Sequence, residues 1–284
     1  MPGRARWPGR GPGAYARDFA SKAHGNAQVP MFTYYEILQA SCAAEGSAEV
    51  AATQDAAFMD RYLGDYAFLL DQLASSVALL HLEPDFWGYA EQLNQDPHAI
   101  HAAVASGHPE CKGFEDSIAG LGRCMIDMAR RHAPKVRVGL HGSGWATKLD
   151  VLQNRDPALD VAAEAQKLGA FLVACGGDQA DFIGVDASDR DAGYYASQGK
   201  DSGWDATNTS LPSFHQAFAW SKALAERVNK LLRALAFVHE RGLVHRDLKP
   251  GNVFLQRLPA ARSASSSWTS VWRSSWRKIP PRRR

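Results

Sequence analysis

Two rhythms of apolar residues alternate between positions 29 and 228. Short unbroken apolar runs, "VPMFTYY" (29–35), "VALLHLEPD" (77–85), "KVRVGLHGSG" (135–144) and "ADFIGVDASD" (180–189), predict buried strands. Between them the apolar positions return every three or four residues. Over 58–76 this spacing puts Phe58, Tyr62, Tyr66, Leu69, Leu70 and Leu73 on one helical face. Over 115–132 it does the same for Ile118, Leu121, Met125, Met128 and Ala129. Two further helices are predicted over 159–176, stopping at Gly176, and over 212–228. Such alternation predicts right-handed βαβ units on a parallel sheet. Four units make half of an eight-unit barrel or a small open sheet. The expected class is α/β, with a partial parallel (β/α) barrel-like body over 29–228.

Composition changes the picture at the ends. The chain has 284 residues, 45% apolar and 22% charged, enough for a sizeable core. Its net charge of +2 conceals a segregation. Residues 1–17 hold four Arg and 257–284 hold seven Arg and one Lys, with no acid in either stretch. Removing those twelve from 32 basic residues leaves 20 against 30 acids, so 18–256 stands at −10. An acidic body with basic ends is unlike a nucleic-acid-binding domain, whose positive charge forms a patch on folded structure. Residues 1–28 and 257–284 are therefore expected to be disordered basic segments, the second rich in Ser, Arg and Trp. No signal peptide or membrane span is legible, and a cytoplasmic location is the expectation.

The segment after the body carries the most specific chemistry. "LLRALAFVHERGLVHRDLKPGNVFL" (231–255) contains H-R-D-L-K-x-x-N, with Leu231, Leu235 and Val238 striping a preceding helix that ends at Gly242. It resembles the catalytic loop of eukaryotic-type serine/threonine protein kinases. The resemblance implies phosphoryl transfer from ATP to a protein substrate. Asp247 would orient the substrate hydroxyl or take its proton, and Lys249 would neutralise the transferred phosphoryl group. Asn252 would hold magnesium, with His245 and Arg246 as supports.

The other kinase parts do not follow. "GRGPGA" (9–14) and "GSGWAT" (142–147) lack the last glycine of a nucleotide loop, and no lysine sits in a V-A-x-K strand. A magnesium-binding D-F-G should come about two dozen residues after the loop, yet 253–284 contain no Asp. The expectation is a kinase catalytic-loop fragment over 229–256 without activity. The abrupt change of composition after Leu255 is what a shifted reading frame or a broken gene model would leave.

In parallel α/β folds, chemistry sits at the carboxyl ends of strands. That rule selects Glu36, Glu83, Asp85, His141, Asp186, Asp189 and Asp191, with Trp87, Tyr89, Trp145 and Trp204 nearby. Paired carboxylates and flat aromatic faces suit glycoside hydrolysis. "EPD" (83–85) and "DRDAGYYAS" (189–197) resemble stretches of (β/α)-barrel glycoside hydrolases of the cellobiohydrolase type, in reversed order. The resemblance implies a carbohydrate ligand, Asp191 as proton donor, and Glu83 or Asp85 as an orienting carboxylate. Glu83 and Asp189 serving as helix caps is the structural alternative.

Asp96, His98, His101, His108 and Cys111 make a metal site conceivable, with His98 and His101 on one helix face, but the rest are loosely spaced and solvated histidines are the expectation there. Of Cys42, Cys111, Cys124 and Cys175, only Cys111 and Cys124 offer a plausible bridge, and free thiols are the expectation.

Overall fold

A computed structural model of the chain describes residues 11–186 and 192–228. Asp189, Asp191, the kinase-like segment with His245, Arg246, Asp247, Lys249 and Asn252, and the tail 257–284 lie outside the described residues.

The fold is α/β. In chain order the elements are α1 (Ala14–Gly25), β1 (Met31–Tyr34), α2 (Ile37–Ser41), α3 (Ser47–Ala52), α4 (Ala56–Leu73), β2 (Ala78–Leu82) and α5 (Phe86–Leu93). There follow α6 (Ile118–His132), β3 (Val136–Gly142), α7 (Val161–Ala174), β4 (Phe182–Val185), α8 (Ala192–Ser197) and α9 (Phe214–Val228). The four strands form one parallel sheet in the order β1-β2-β3-β4.

Strand alternation sorts the side chains. One face carries Tyr34, Leu80, Leu82, Val138 and Leu140, all buried, and Tyr34 packs against Tyr62 and Tyr66 of α4. The other face carries Thr33, His81, Gly139, His141 and Phe182, with Thr33 in register with His81 and Gly139 with Phe182. Gly139 cannot be larger, because a Cβ there would lie 2.4 Å from the Phe182 ring.

The helices start where side chains can satisfy their free amides. Asp55 accepts from the N–H groups of Ala57 and Phe58, Ser117 from Gly120, and Asp160 from Ala163. In α4 the buried face is Phe58, Met59, Tyr62, Leu63, Tyr66, Leu70 and Leu73, with Leu69 only half-buried. Arg130, Arg131 and His132 place positive charge in the last turn of α6, where the helix dipole favours it.

Two expectations are corrected. Residues 14–25 are helical, where a disordered segment spanning 1–28 was expected. The arginines hid a stripe of small residues, Ala16, Ala20 and Ala23, that is buried on α1. Phe19 of the same helix meets Phe32 edge-on at 5.4 Å. Cys111 and Cys124 are joined in a disulfide instead of standing as free thiols, with their Cα atoms 5.6 Å apart. Cys42 is exposed and Cys175 buried, both unbridged.

Candidate functional site

The carboxyl ends of the strands gather Glu36 and Tyr35 after β1, Glu83 and Asp85 after β2, His141 at the end of β3, and Asp186 after β4. Of these, Glu83 is the most enclosed. Its backbone has φ +43°, in the left-handed region, and its side chain is fully buried. Its Oε1 accepts from the amides of Glu36 (2.9 Å) and Ile37 (3.2 Å) and from the Tyr62 hydroxyl (2.9 Å). The carboxyl therefore caps the start of α2 from a neighbouring strand and ties that turn to α4. Burial pushes its pKa up to about 8, while the two amides and the phenol pull it back. Glu83 is thus mainly protonated at pH 7, with its hydrogen-bonding directed inward. Its contacts are those of the cap alternative.

Asp85 is half-buried and takes a hydrogen bond from the Tyr35 hydroxyl at 3.2 Å. Burial raises the Tyr35 phenol, and the adjacent Asp85 charge raises it further, so Tyr35 stays a donor. Glu36 is half-buried, and burial followed by Asp65 raises it above the usual carboxylate range.

His81 and His141 meet across β2 and β3, with Nε2 of His81 3.0 Å from Nδ1 of His141. Nε2 of His141 lies 3.5 Å from Oδ2 of Asp186. Burial lowers His81 to about 3, the neighbouring His141 adds to this, and Asp186 opposes it. His81 is neutral throughout the physiological range.

The four aromatic candidates divide. Trp87 is fully buried and donates to the Leu82 carbonyl at 2.9 Å, and Trp204 is buried and donates to the Leu152 carbonyl at 2.9 Å. Both are core. Tyr89 and Trp145 are half-buried, with ring centroids 4.6 Å apart and planes tilted by 43°. Of the four, only this pair is partly exposed.

Three groups escaped the sequence reading. His81 reads as one polar residue inside an apolar run. Glu49 sits in the short helix α3 and is buried. Burial raises it to about 7, the Gly46 amide draws it back, and Asp85 and Glu45 raise it further. Glu91 on α5 is 2% exposed and is raised to about 8 by burial and then Glu164, against Lys167. An acid on the apolar side of a helical period was the available signal for Glu91, while the six residues of α3 offered none for Glu49.

The histidines of the 96–111 stretch have separate partners. His98 pairs with Glu115 at 2.7 Å, His101 contacts the Asp116 carbonyl at 3.0 Å, and His108 accepts from the Glu110 amide at 3.4 Å. Among the described residues, no group of three or more His, Cys, Asp or Glu is placed to hold a metal ion. Nor is any helix among them long and apolar enough to cross a membrane.

Sheet and site define an α/β protein with polar chemistry at the carboxyl edge of a parallel sheet, and no family model matches the chain. A 26-residue stretch is 65% identical to eIF-2-alpha kinase GCN2 of Schizosaccharomyces pombe, which supports a kinase catalytic-loop segment. The match covers 9% of this chain and 2% of that kinase.

Proposed function

We propose that residues 229–256 are a serine/threonine-kinase catalytic loop separated from the machinery it needs, and that this chain does not itself transfer phosphate. The observation that supports descent is the 65% identity over 26 residues. The observation that argues against turnover is the absence of any Asp from 253–284, the stretch in which the magnesium ligand should follow. Phosphoryl transfer is electrostatic positioning around a nucleotide, and removing one such element typically costs orders of magnitude in rate. Under this reading Asp247, Lys249, Asn252, His245 and Arg246 keep the family's residue types without its ATP and magnesium site. Incubating the whole chain with labelled ATP, magnesium and a protein substrate is expected to give no incorporation that depends on Asp247. Transfer abolished by Asp247→Asn would overturn the proposal.

A cytoplasmic location goes with kinase descent. The Cys111–Cys124 disulfide pulls the other way, because the cytosol keeps most thiols reduced.

A second reading concerns the body: a half-barrel-like scaffold with acid–base chemistry on a carbohydrate at its carboxyl edge. It is favoured by one arrangement, a half-buried Asp85 held by Tyr35 on the loop that leads into α5, which also carries Tyr89 of the Tyr89–Trp145 pair. Under this reading Asp85 is the accessible carboxylate, Glu83 an orienting carboxyl, and Asp189 and Asp191 are further candidate acids. Soluble polysaccharides should quench the tryptophan fluorescence of the whole chain, and Trp145→Ala should remove the effect. Quenching unchanged by Trp145→Ala, or no quenching by any polysaccharide, would reject this reading.

A further inference from the structure

Three side chains align diagonally across one face of the sheet. His81 lies on β2, His141 on β3, and Asp186 directly after β4. His81 is in register with Gly139, and His141 with Gly184. Each step along the line therefore moves one strand over and two residues toward the carboxyl edge. The line runs from a His81 that is 8% exposed, through a His141 side chain that is 2% exposed, to an Asp186 side chain that is 64% exposed.

Charge and hydrogen bonding together set a direction along it. The Nε2 of His141 makes no hydrogen bond among the described residues, but Oδ2 of Asp186 lies 3.5 Å away, and a proton on Nε2 is the form that a nearby carboxylate charge favours. The opposite tautomer would set a buried lone pair against a carboxylate. A neutral His141 then offers a bare Nδ1, and His81 must donate to it from Nε2 across 3.0 Å. His81 is left with a bare Nδ1. This is the logic by which a carboxylate selects the tautomer of a histidine, extended by one imidazole.

We propose that His81, His141 and Asp186 form a proton relay, with Nδ1 of His81 as its accepting end and Asp186 as the anion that stabilises the charge produced. A proton leaving a hydroxyl-bearing ligand or water binds Nδ1 of His81. The Nε2 proton of His81 passes to Nδ1 of His141. His81 ends neutral as its other tautomer, His141 ends as an imidazolium beside Asp186, and the oxyanion stays on the ligand. The burial that makes a charged His81 costly supports this, since the charge moves on to the group nearest the carboxylate. The relay goes beyond both functional readings and stands without either.

Two-bond proton–nitrogen correlation spectra of the 15N-labelled whole chain between pH 5 and 9 test it. His81 is expected to be neutral with its proton on Nε2 at every pH. His141 is expected to carry its proton on Nε2 when neutral, and Asp186→Asn, at an exposed position, should weaken that preference. A His81 proton on Nδ1, or a neutral His141 with its proton on Nδ1, would overturn the relay. The tautomers of the two rings in the unaltered chain decide the question even if the variant does not fold.

Discussion

The two ends of the sheet use the same residue types to opposite effect. At the amino ends of the strands, Asp181 accepts from the Val138 amide (2.9 Å) and lies 2.6 Å from Nη1 of Arg130. Nearby His132 bridges Asp71 at 2.8 Å and Glu110 at 2.7 Å, and Arg131 also reaches Glu110 at 2.6 Å. Each acid there has a cationic partner. At the carboxyl ends, Glu83 is buried on two amides and a phenol, and its charged form is the disfavoured one. The amino end is therefore built for stability, and the carboxyl end holds protons where solvent would release them. Perturbed protonation at strand ends is the physical mark of a site, while matched charges mark a scaffold.

The sharpest way to break this comparison is to titrate Glu83. Its folded pKa of about 8 stands above the unfolded value near 4.5, so the native state binds the extra proton between them. Stability from this group is full below the unfolded pKa and is lost as pH rises through the folded one. The loss between pH 5 and 9 is on the order of 5 kcal/mol at most, from about 1.4 kcal/mol per unit. Glu83→Gln mimics the protonated form, so urea unfolding should show a much flatter pH dependence for the variant. An unchanged pH dependence would place Glu83 among the ordinary paired acids of the opposite edge.

Next in size comes the disulfide that joins Cys111 to Cys124 of α6. Cys111 and Cys124 are 13 residues apart, and closing a loop of that length contributes about 3 kcal/mol. Reduction should lower the unfolding free energy by about that amount, and Cys111→Ser with Cys124→Ser should remove the response to reductant. Mass spectrometry of the alkylated chain reports directly whether the bridge forms.

Much of this architecture was legible beforehand, for reasons that can be named. All four strands fall inside the apolar runs that predicted them; β2, β3 and β4 are largely buried, as an unbroken run implies, while β1 buries only Tyr34 and exposes Thr33. The Phe58–Leu73 face of α4 was legible because its period persists over many turns. Helices α2 and α3 were not, since five and six residues contain too little period to read. Helix α1 was hidden by arginines around its alanine stripe. At the site, the strand-end rule found Glu83, Asp85, His141 and Asp186, but it could not say which would be enclosed. The His81–His141 contact depends on strand register, which no local pattern records.

A smaller effect is expected at Asp181. Asp181→Asn keeps an acceptor for the Val138 amide but removes the counter-charge of Arg130, whose side chain is 34% exposed. Solvent relieves part of that loss, so the cost should be about 1–2 kcal/mol. The measurement is chemical denaturation in low and high salt. A cost that persists undiminished in high salt would mean that packing, and not charge pairing, governs this edge.

The smallest effect gives the finest contrast, because it has a window with two sides. The Glu110 hydrogen bond first, and then that of Asp71, raise His132 above its ordinary value. Burial pushes Glu110 up, but the hydrogen bonds from His132 and Arg131 outweigh it and hold the carboxyl below its usual range. For His132, the contribution is full below the unfolded pKa near 6.5 and is lost as pH rises through the raised folded value. For Glu110 it is present above about 4.5 and is lost as pH falls through the depressed folded value. The pair therefore contributes most between those limits. With side chains 22% and 28% exposed, it is worth about 0.5–1 kcal/mol. His132→Gln should flatten this window in stability measured from pH 4 to 9, and added salt should do the same to the unaltered chain by screening. Glu83 also loses stability as pH rises, but its charge has no ion-pair partner among the described residues to screen, so salt should leave that slope in place. Equal sensitivity of both slopes to salt would erase the distinction between a scaffold edge and a site edge.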